Sequence, residues 1–245
     1  MSIDAVIFDW GGTLTPWRTI DVAATWRAYA AAAASVDAEA IAAALHAAEV
    51  EAWAGVRDHQ VSSTFFDILA AAGVDHHEEA VAAYLAAWEP HTFTDPDVAT
   101  VFAGLRERGI RVGVLSNTLW PRSWHEGFFE RDGVLELVDG GVYTSELPYT
   151  KPHERAFRAA MAEVRVDDPE RCVFVGDRPF DDISGAQAIG MRTILVPHSD
   201  IPAEQQVPVD VRPDAVVDRL GEVIHHVDTW IDGRVDSGRD GRRPR

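Results

Sequence analysis

The stretch Ala5-Val-Ile-Phe-Asp-Trp-Gly-Gly-Thr-Leu14 decides how the chain is read. Ala5 to Phe8 is an apolar run of strand length, too short for a helix. It breaks at Asp9, and Gly11-Gly12 then turn the backbone. A carboxylate at the end of a buried strand stands where open parallel sheets bind their ligands. Taken alone it also describes a turn residue or a helix cap, so the remainder of the chain has to decide.

Working outward, the texture changes between Asp21 and Trp88. Ala-rich stretches at 21–34, 37–54, 61–72 and 76–88 have helical spacing, separated by Gly55, Gly73 and the region of Asp75. Trp26, Tyr29, Leu45, Val50, Trp53, Phe65, Leu69, Tyr84 and Trp88 supply their apolar stripes, and Pro90 and Pro96 mark the exit. Helix and strand signals then alternate. Helices are expected over 96–108, 122–130, 153–164, 180–189 and 219–230, with Gly109 and Gly190 as stops. Strands are expected over Ile110–Leu115, Val138–Tyr143, Cys172–Val175, Thr193–Val196 and Ala215–Val217. Such alternation predicts an α/β fold: a Rossmann-like parallel sheet core with helices on both faces and a small helical-bundle cap domain inserted after the first strand. On this reading residues 1–16 and 92–231 form the core and 17–91 the cap. The Gly-, Arg- and Asp-rich tail, 232–245, is expected to be disordered.

Composition narrows the function. The formal net charge of -18 argues against a general nucleic-acid or anionic-membrane surface, since both need basic patches. Lys151 is the only lysine, which constrains any mechanism that needs one. Cys172 is the only cysteine, so neither an intrachain disulfide nor a cysteine-based zinc site can form. It lies in an apolar run and reads as a buried strand residue. The N-terminus lacks the basic and apolar regions of a signal peptide, and no window has the length of a membrane-spanning helix, so a cytoplasmic protein is expected.

The predicted strand ends carry Asp9, Ser116-Asn117 and Asp177, and a loop before a helix carries Lys151-Pro152. Each is weak evidence alone; their order and placement together are hard to obtain by accident. At these residues the chain resembles the haloacid dehalogenase (HAD) superfamily. Ile7-Phe-Asp-Trp-Gly-Gly-Thr-Leu14 resembles its first motif, Leu115-Ser-Asn117 its second and Lys151-Pro152 its third. Val175-Gly-Asp-Arg-Pro-Phe-Asp-Asp-Ile-Ser-Gly-Ala186 resembles its fourth. The resemblance covers about residues 3–220, and the helical insert matches the family's small helical cap in position.

The resemblance implies a hydrolase in which Asp9 attacks phosphorus and becomes an aspartyl phosphate. A carboxylate nucleophile splits one difficult displacement into two easier ones. It implies a Mg²⁺ cofactor held by Asp9, the main-chain carbonyl of Gly11 and Asp177, with Asp181 or Asp182 binding directly or orienting waters. Ser116 and the amide of Asn117 would hold phosphoryl oxygens, and Lys151 would neutralise charge between nucleophile and phosphate. Gly12, Thr13, Trp10 and Arg18 are further candidates for substrate contact, Trp10 and Arg18 with Trp17 as pocket lining where the chain enters the cap. The implied partner is a small phosphorylated molecule, with no nucleic acid or membrane, and the protein is a monomer or homodimer.

One departure matters more than the matches. Phosphatases of this family have a second Asp two positions after the nucleophile, which protonates the leaving oxygen and then activates water. Here that position is Gly11. A group of that kind contributes roughly 10²–10⁴ in rate. Three readings stay open: a substrate with a good leaving group, another residue in the acid's place (His59, His125 or Glu146), or a reaction other than ester hydrolysis. The family's phosphonatases also lack this Asp, but they use a cap lysine and this cap contains none. The 2-haloacid dehalogenases lack it too, but work without metal and without the Gly176-Asp177 pair. Three functions are therefore carried forward: a Mg²⁺-dependent phosphohydrolase, a 2-haloacid dehalogenase-like hydrolase, and a catalytically weak HAD-fold binding protein. Arg57 and His59 are weaker site candidates. The pairs His76-His77 and His225-His226 read as surface, and Trp120, Trp124, Phe128 and Phe129 as packing residues.

Overall fold

A computed structural model of the chain describes residues 2–16, 20–33, 37–196 and 207–233. Trp17 and Arg18 lie outside the described residues, as does the tail from 234 onward.

The short apolar runs become strands. They are β1 (Ala5–Phe8), β2 (Arg111–Ser116), β3 (Gly140–Tyr143), β4 (Cys172–Gly176), β5 (Arg192–Leu195) and β6 (Ala215–Val216). They form one parallel sheet in the order β3-β2-β1-β4-β5-β6, so β1 lies inside it with Ala5–Phe8 paired to Arg111–Val114 on one side and Cys172–Val175 on the other. The two-residue period sends alternate side chains to opposite faces. Val6, Phe8, Val112, Val114, Val173 and Val175 enter one core, and Ala5, Ile7, Leu115, Cys172 and Phe174 the other. Each fully buried large side chain of this kind contributes roughly 1.5–3 kcal/mol. The first face is covered by α5 (Val98–Glu107) and α9 (Val223–Ile231), the second by α7 (Glu154–Glu163) and α8 (Gly185–Ala188).

Several expected boundaries move. The third strand begins at Gly140 rather than Val138, because Asp139 turns its carboxylate back to accept from the Val112 amide. A Cβ on Gly140 would stand 2.8 Å from the Glu163 backbone, so α7 packs directly on the strand there. The helix expected over 180–189 splits into a π-helical turn, Pro179–Ser184, and the short α8.

The Ala-rich insert is helical: α1 (Val22–Ala32), α2 (Ala38–His59), α3 (Phe65–Ala71) and α4 (Glu78–Trp88). Asp21 and Asp37 cap α1 and α2 by accepting from Ala24 and Ala40 amides, and Thr64 with Asp67 makes a reciprocal capping box on α3. Gly55 does not end α2, as the sequence suggested. The helix runs on to His59 and stops at Gln60, which takes a left-handed conformation. The helices share a core of Trp26, Tyr29, Leu45, Phe65, Leu69 and Tyr84, which also takes in Leu119 and Trp120 from the sheet domain. Within it Glu49 is buried and accepts from the indoles of Trp26 (2.6 Å) and Trp53 (3.4 Å).

The insert is also fastened to the core by main chain. Between α2 and α3, Gln60 accepts from the Thr150 amide (3.1 Å), Val61 bridges Tyr149, and the Ser62 amide donates to Pro148 (3.5 Å). Phe65 donates its amide to Leu119. No helix of the described residues is long and apolar enough to cross a membrane.

Candidate active site

Parallel strands deliver their carboxyl ends to one edge, and the polar residues found by sequence meet there. Asp9 follows β1, Ser116 ends β2, Asp177 follows β4, and Asp182 sits on the π-helical turn. All four are buried. One carboxylate oxygen from each of Asp9, Asp177 and Asp182 lies within 4.8 Å of the others.

Glycines make room for this cluster. Gly12 has φ +89, and a Cβ there would stand 2.3 Å from Asp177 Oδ2. A Cβ on Gly176 would stand 2.4 Å from the Asp182 carboxylate. Gly11 differs: nothing lies within 4 Å of its Cβ position, and its φ is not positive.

Lys151 enters from the loop after β3. Its ammonium, 2% exposed, donates to Asp9 Oδ1 and Asp182 Oδ1, each at 2.6 Å. Its main chain is held by Asn117, whose side chain accepts from the Lys151 amide (2.8 Å) and donates to its carbonyl (3.1 Å). The side chain of Asn117 is thus occupied in placing the lysine. Asp182 Oδ2 accepts from the Arg178 amide at 2.9 Å, and Thr13 Oγ1 is 3.5 Å from Asp9 Oδ2.

Electrostatics follow from burial. Burial pushes Asp9 up to about 6, with Lys151 only partly offsetting it and Asp182 adding to the rise. Burial works against the Lys151 ammonium, but Asp182 and Asp9 together hold its pKa above the usual value. Lys151 is therefore protonated and bonded to two of the three carboxylates.

The structure separates the two adjacent acids of the fourth motif, Asp181 and Asp182. Asp182 joins the cluster; Asp181 does not, and stands 3.8 Å from the Arg178 guanidinium. Arg178 is a site residue that the sequence reading passed over; its positive charge reaches both Asp9 and Asp181. The one available signal was a cation directly after Asp177. Trp10 turns away from the strand end into an aromatic group, edge-on to His125 (4.6 Å) and Trp120 (5.9 Å) and stacked on Phe128 (6.1 Å). Phe129 lies in the sheet core, while Trp120, Trp124 and Phe128 pack against the cap, as packing residues should.

The residues considered for the missing acid fare poorly. His125 is fully buried, bonds Thr118 through Nε2 (2.9 Å), and is pulled down to about 3 by burial, so it is neutral. Glu146 is held by Arg122 at 2.7 Å. His59 and Arg57 are exposed near the end of α2, where Arg57 pairs with Asp58.

A buried carboxylate-lysine-carboxylate group thus stands at the carboxyl edge of the sheet, where open parallel sheets bind their ligands. The chain belongs to the haloacid dehalogenase-like hydrolases, whose family model matches residues 3–190. Among curated proteins it is 30% identical over 156 residues to the glyceraldehyde 3-phosphate phosphatase of Methanopyrus kandleri, covering 62% of this chain and 66% of that protein. It is 27% identical over 146 residues to the ribulose-1,5-bisphosphate 5-phosphatase of Halopiger xanaduensis, covering 58% and 59%. The match thus spans less than two thirds of either relative's length. Among solved structures, a HAD phosphatase from Thermococcus onnurineus superposes with a TM-score of 0.63 at 19% identity, covering 95% of this chain and all of that one. The L-2-haloacid dehalogenase of Xanthobacter autotrophicus gives 0.61 at 20% identity, covering 92% and 98%. At such identities these two describe the fold.

Proposed function

We propose that the protein is a Mg²⁺-dependent phosphohydrolase that forms an aspartyl phosphate on Asp9 from a small phosphorylated substrate. The observation that carries this reading is the buried cluster of Asp9, Asp177 and Asp182, with the Lys151 ammonium bonded to Asp9 and Asp182. Buried like charges are costly without a compensating cation. The oxygen-only donor set suits a hard ion, and Asp9, Asp177, Asp182 and the Gly11 carbonyl would hold it. When bound, the ion supplies positive charge against the phosphate and the nucleophile. Asp9 attacks; Lys151 balances charge on Asp9 and the transferred oxygens; Ser116 and the Asn117 main chain hold those oxygens. Gly12 and Thr13 shape the turn around them. Arg178 offsets part of the charge on Asp181, which lies outside the cluster. Residues 17–91 are the cap over a core of 1–16 and 92–231. The phosphatase names of the curated relatives point to the same chemistry.

The test is release of phosphate from p-nitrophenyl phosphate and acetyl phosphate, with and without Mg²⁺, by wild type and Asp9→Asn, alongside thermal melts. Turnover that needs Mg²⁺ and vanishes in Asp9→Asn, with a Mg²⁺-dependent rise in Tm that Asp177→Asn reduces, is expected. Halide release from a 2-haloacid in chelator would transfer the chain to the dehalogenases. Substrate binding with no turnover at all would leave a binding protein.

A further inference from the structure

His125 is fully buried and neutral, and it stands where two loops of the site meet. Trp10, the residue after the nucleophile, lies edge-on to its imidazole at 4.6 Å. Tyr143, the last residue of β3, stacks on the imidazole at 4.7 Å. Its Nε2 bonds Thr118 Oγ1 at 2.9 Å. Thr118 follows Asn117, whose side chain holds the main chain of Lys151. One imidazole thus touches both the loop that carries Asp9 and the loop that carries Ser116 and Asn117. Thr118 is itself tied down further. Its amide donates to Thr144 Oγ1 (3.0 Å), and its hydroxyl oxygen accepts from the Trp120 amide (3.0 Å). Both threonines are buried, so water is poorly placed to replace a lost partner.

We propose that His125 is a positioning residue: it sets the loop from Ser116 to Thr118 against Asp9, acting through Thr118 on one side and Trp10 on the other. The inference rests on the reading of Asp9 as the phosphoryl acceptor, with Ser116 and the Asn117 main chain holding the transferred oxygens. His125 brings neither charge nor proton to the reaction. It brings a bond of fixed length to Thr118 and a flat ring against two aromatic neighbours. Ser116 and the Asn117 amide serve the transferred group only if they keep their distance from the Asp9 carboxylate. Misplacement of such groups by about 1 Å costs on the order of 10²-fold in rate. A site is held to that tolerance by neighbours whose own rotamers are locked by packing and hydrogen bonds, which is the condition of His125.

The test uses two pairs of variants. His125→Phe keeps an aromatic ring and loses the bond, and Thr118→Val keeps the shape and loses the hydroxyl. His125→Gln and Thr118→Ser each keep a group that can make the bond. Turnover of p-nitrophenyl phosphate in Mg²⁺, inhibition by orthovanadate and thermal melts are measured on all four. Orthovanadate takes the five-coordinate shape of the phosphoryl transition state, so its affinity follows the aim of the loop. In His125→Phe and Thr118→Val, kcat should fall roughly 10-fold to 100-fold with KM little changed, and the orthovanadate inhibition constant should rise by a like factor. His125→Gln and Thr118→Ser should stay close to wild type. Both partners act through one bond, so His125→Phe/Thr118→Val should lose no more than Thr118→Val alone. A purely structural role would lower the fraction of active molecules and leave the inhibition constant unchanged, and that result overturns the proposal. So does a loss in His125→Gln as large as in His125→Phe, or losses that add in the double variant. If wild type releases no phosphate, the proposed function fails and this inference with it; if wild type is active and His125→Phe and Thr118→Val match it, the inference alone fails.

Discussion

Asn117 grips the main chain of Lys151 from both sides, accepting from its amide at 2.8 Å and donating to its carbonyl at 3.1 Å. Two residues 34 positions apart are thereby locked in register, and the lysine's ammonium reaches Asp9 and Asp182 from a fixed base. Asn117→Ala should therefore lower kcat more than it raises KM, by roughly 10-fold to 100-fold, since misplacement of a group by about 1 Å carries that cost. Asn117→Asp, which keeps the acceptor and loses the donor, should fall between. Steady-state kinetics on an aryl phosphate decide it; a change confined to KM would mean that Asn117 serves the substrate instead.

Lys151 lies 2% exposed between two carboxylates. Removing one member of a buried ion pair costs about 3–5 kcal/mol because the other charge is left uncompensated. Lys151→Met should destabilise the protein on that scale and abolish turnover, and Mg²⁺ should recover part of the stability by taking over the neutralisation. Denaturant melts with and without Mg²⁺ check it. If the variant melts like wild type in chelator, the pair contributes nothing to the fold.

Gly11 and Gly12 are neighbours with opposite tolerances. A side chain at Gly11 meets nothing within 4 Å, so Gly11→Asp should fold normally and raise alkyl phosphatase activity. A Cβ at Gly12 would stand 2.3 Å from Asp177, on backbone at φ +89. Gly12→Ala should lose the Mg²⁺-dependent rise in Tm and most activity. Thermal shift with a Mg²⁺ titration separates the two, and a Gly12→Ala protein that responds to Mg²⁺ like wild type would contradict the packing argument.

His125 is neutral in the folded chain, pulled down to about 3 from an ordinary 6.5 by burial. Between those values the unfolded chain binds the proton and the folded chain does not. Its stabilising contribution is therefore complete above about 6.5 and is lost as pH falls toward 3. His125→Gln, which can still bond Thr118, should flatten the dependence of unfolding free energy on pH between 4 and 6.5. Equal slopes for wild type and variant would show that other groups govern acid unfolding.

Much of this was legible because the informative signals are local. Ala5–Phe8 and Cys172–Val175 are apolar runs with polar residues at their ends, and the strand period alone fixes which side chains enter which core. Gly109 and Gly190 stop helices at positive φ, as glycines after a helix commonly do. The misreadings have tertiary causes. Gly55 looked like a break, yet α2 passes through it, because packing of Leu45 and Val56 outweighs a local cost of about 1 kcal/mol. Asp181 and Asp182 are indistinguishable in sequence, and only the π-helical turn decides which faces the cluster.

The seam between α2 and the core has a mechanical consequence. Gln60, Val61 and Ser62 are bonded to Thr150, Tyr149 and Pro148, and the next residue is Lys151. Any breathing of the cap that parts this seam tugs on the peptide that carries the site's ammonium. The cap's seating and the lysine's aim thus share one short piece of backbone, residues 148–151.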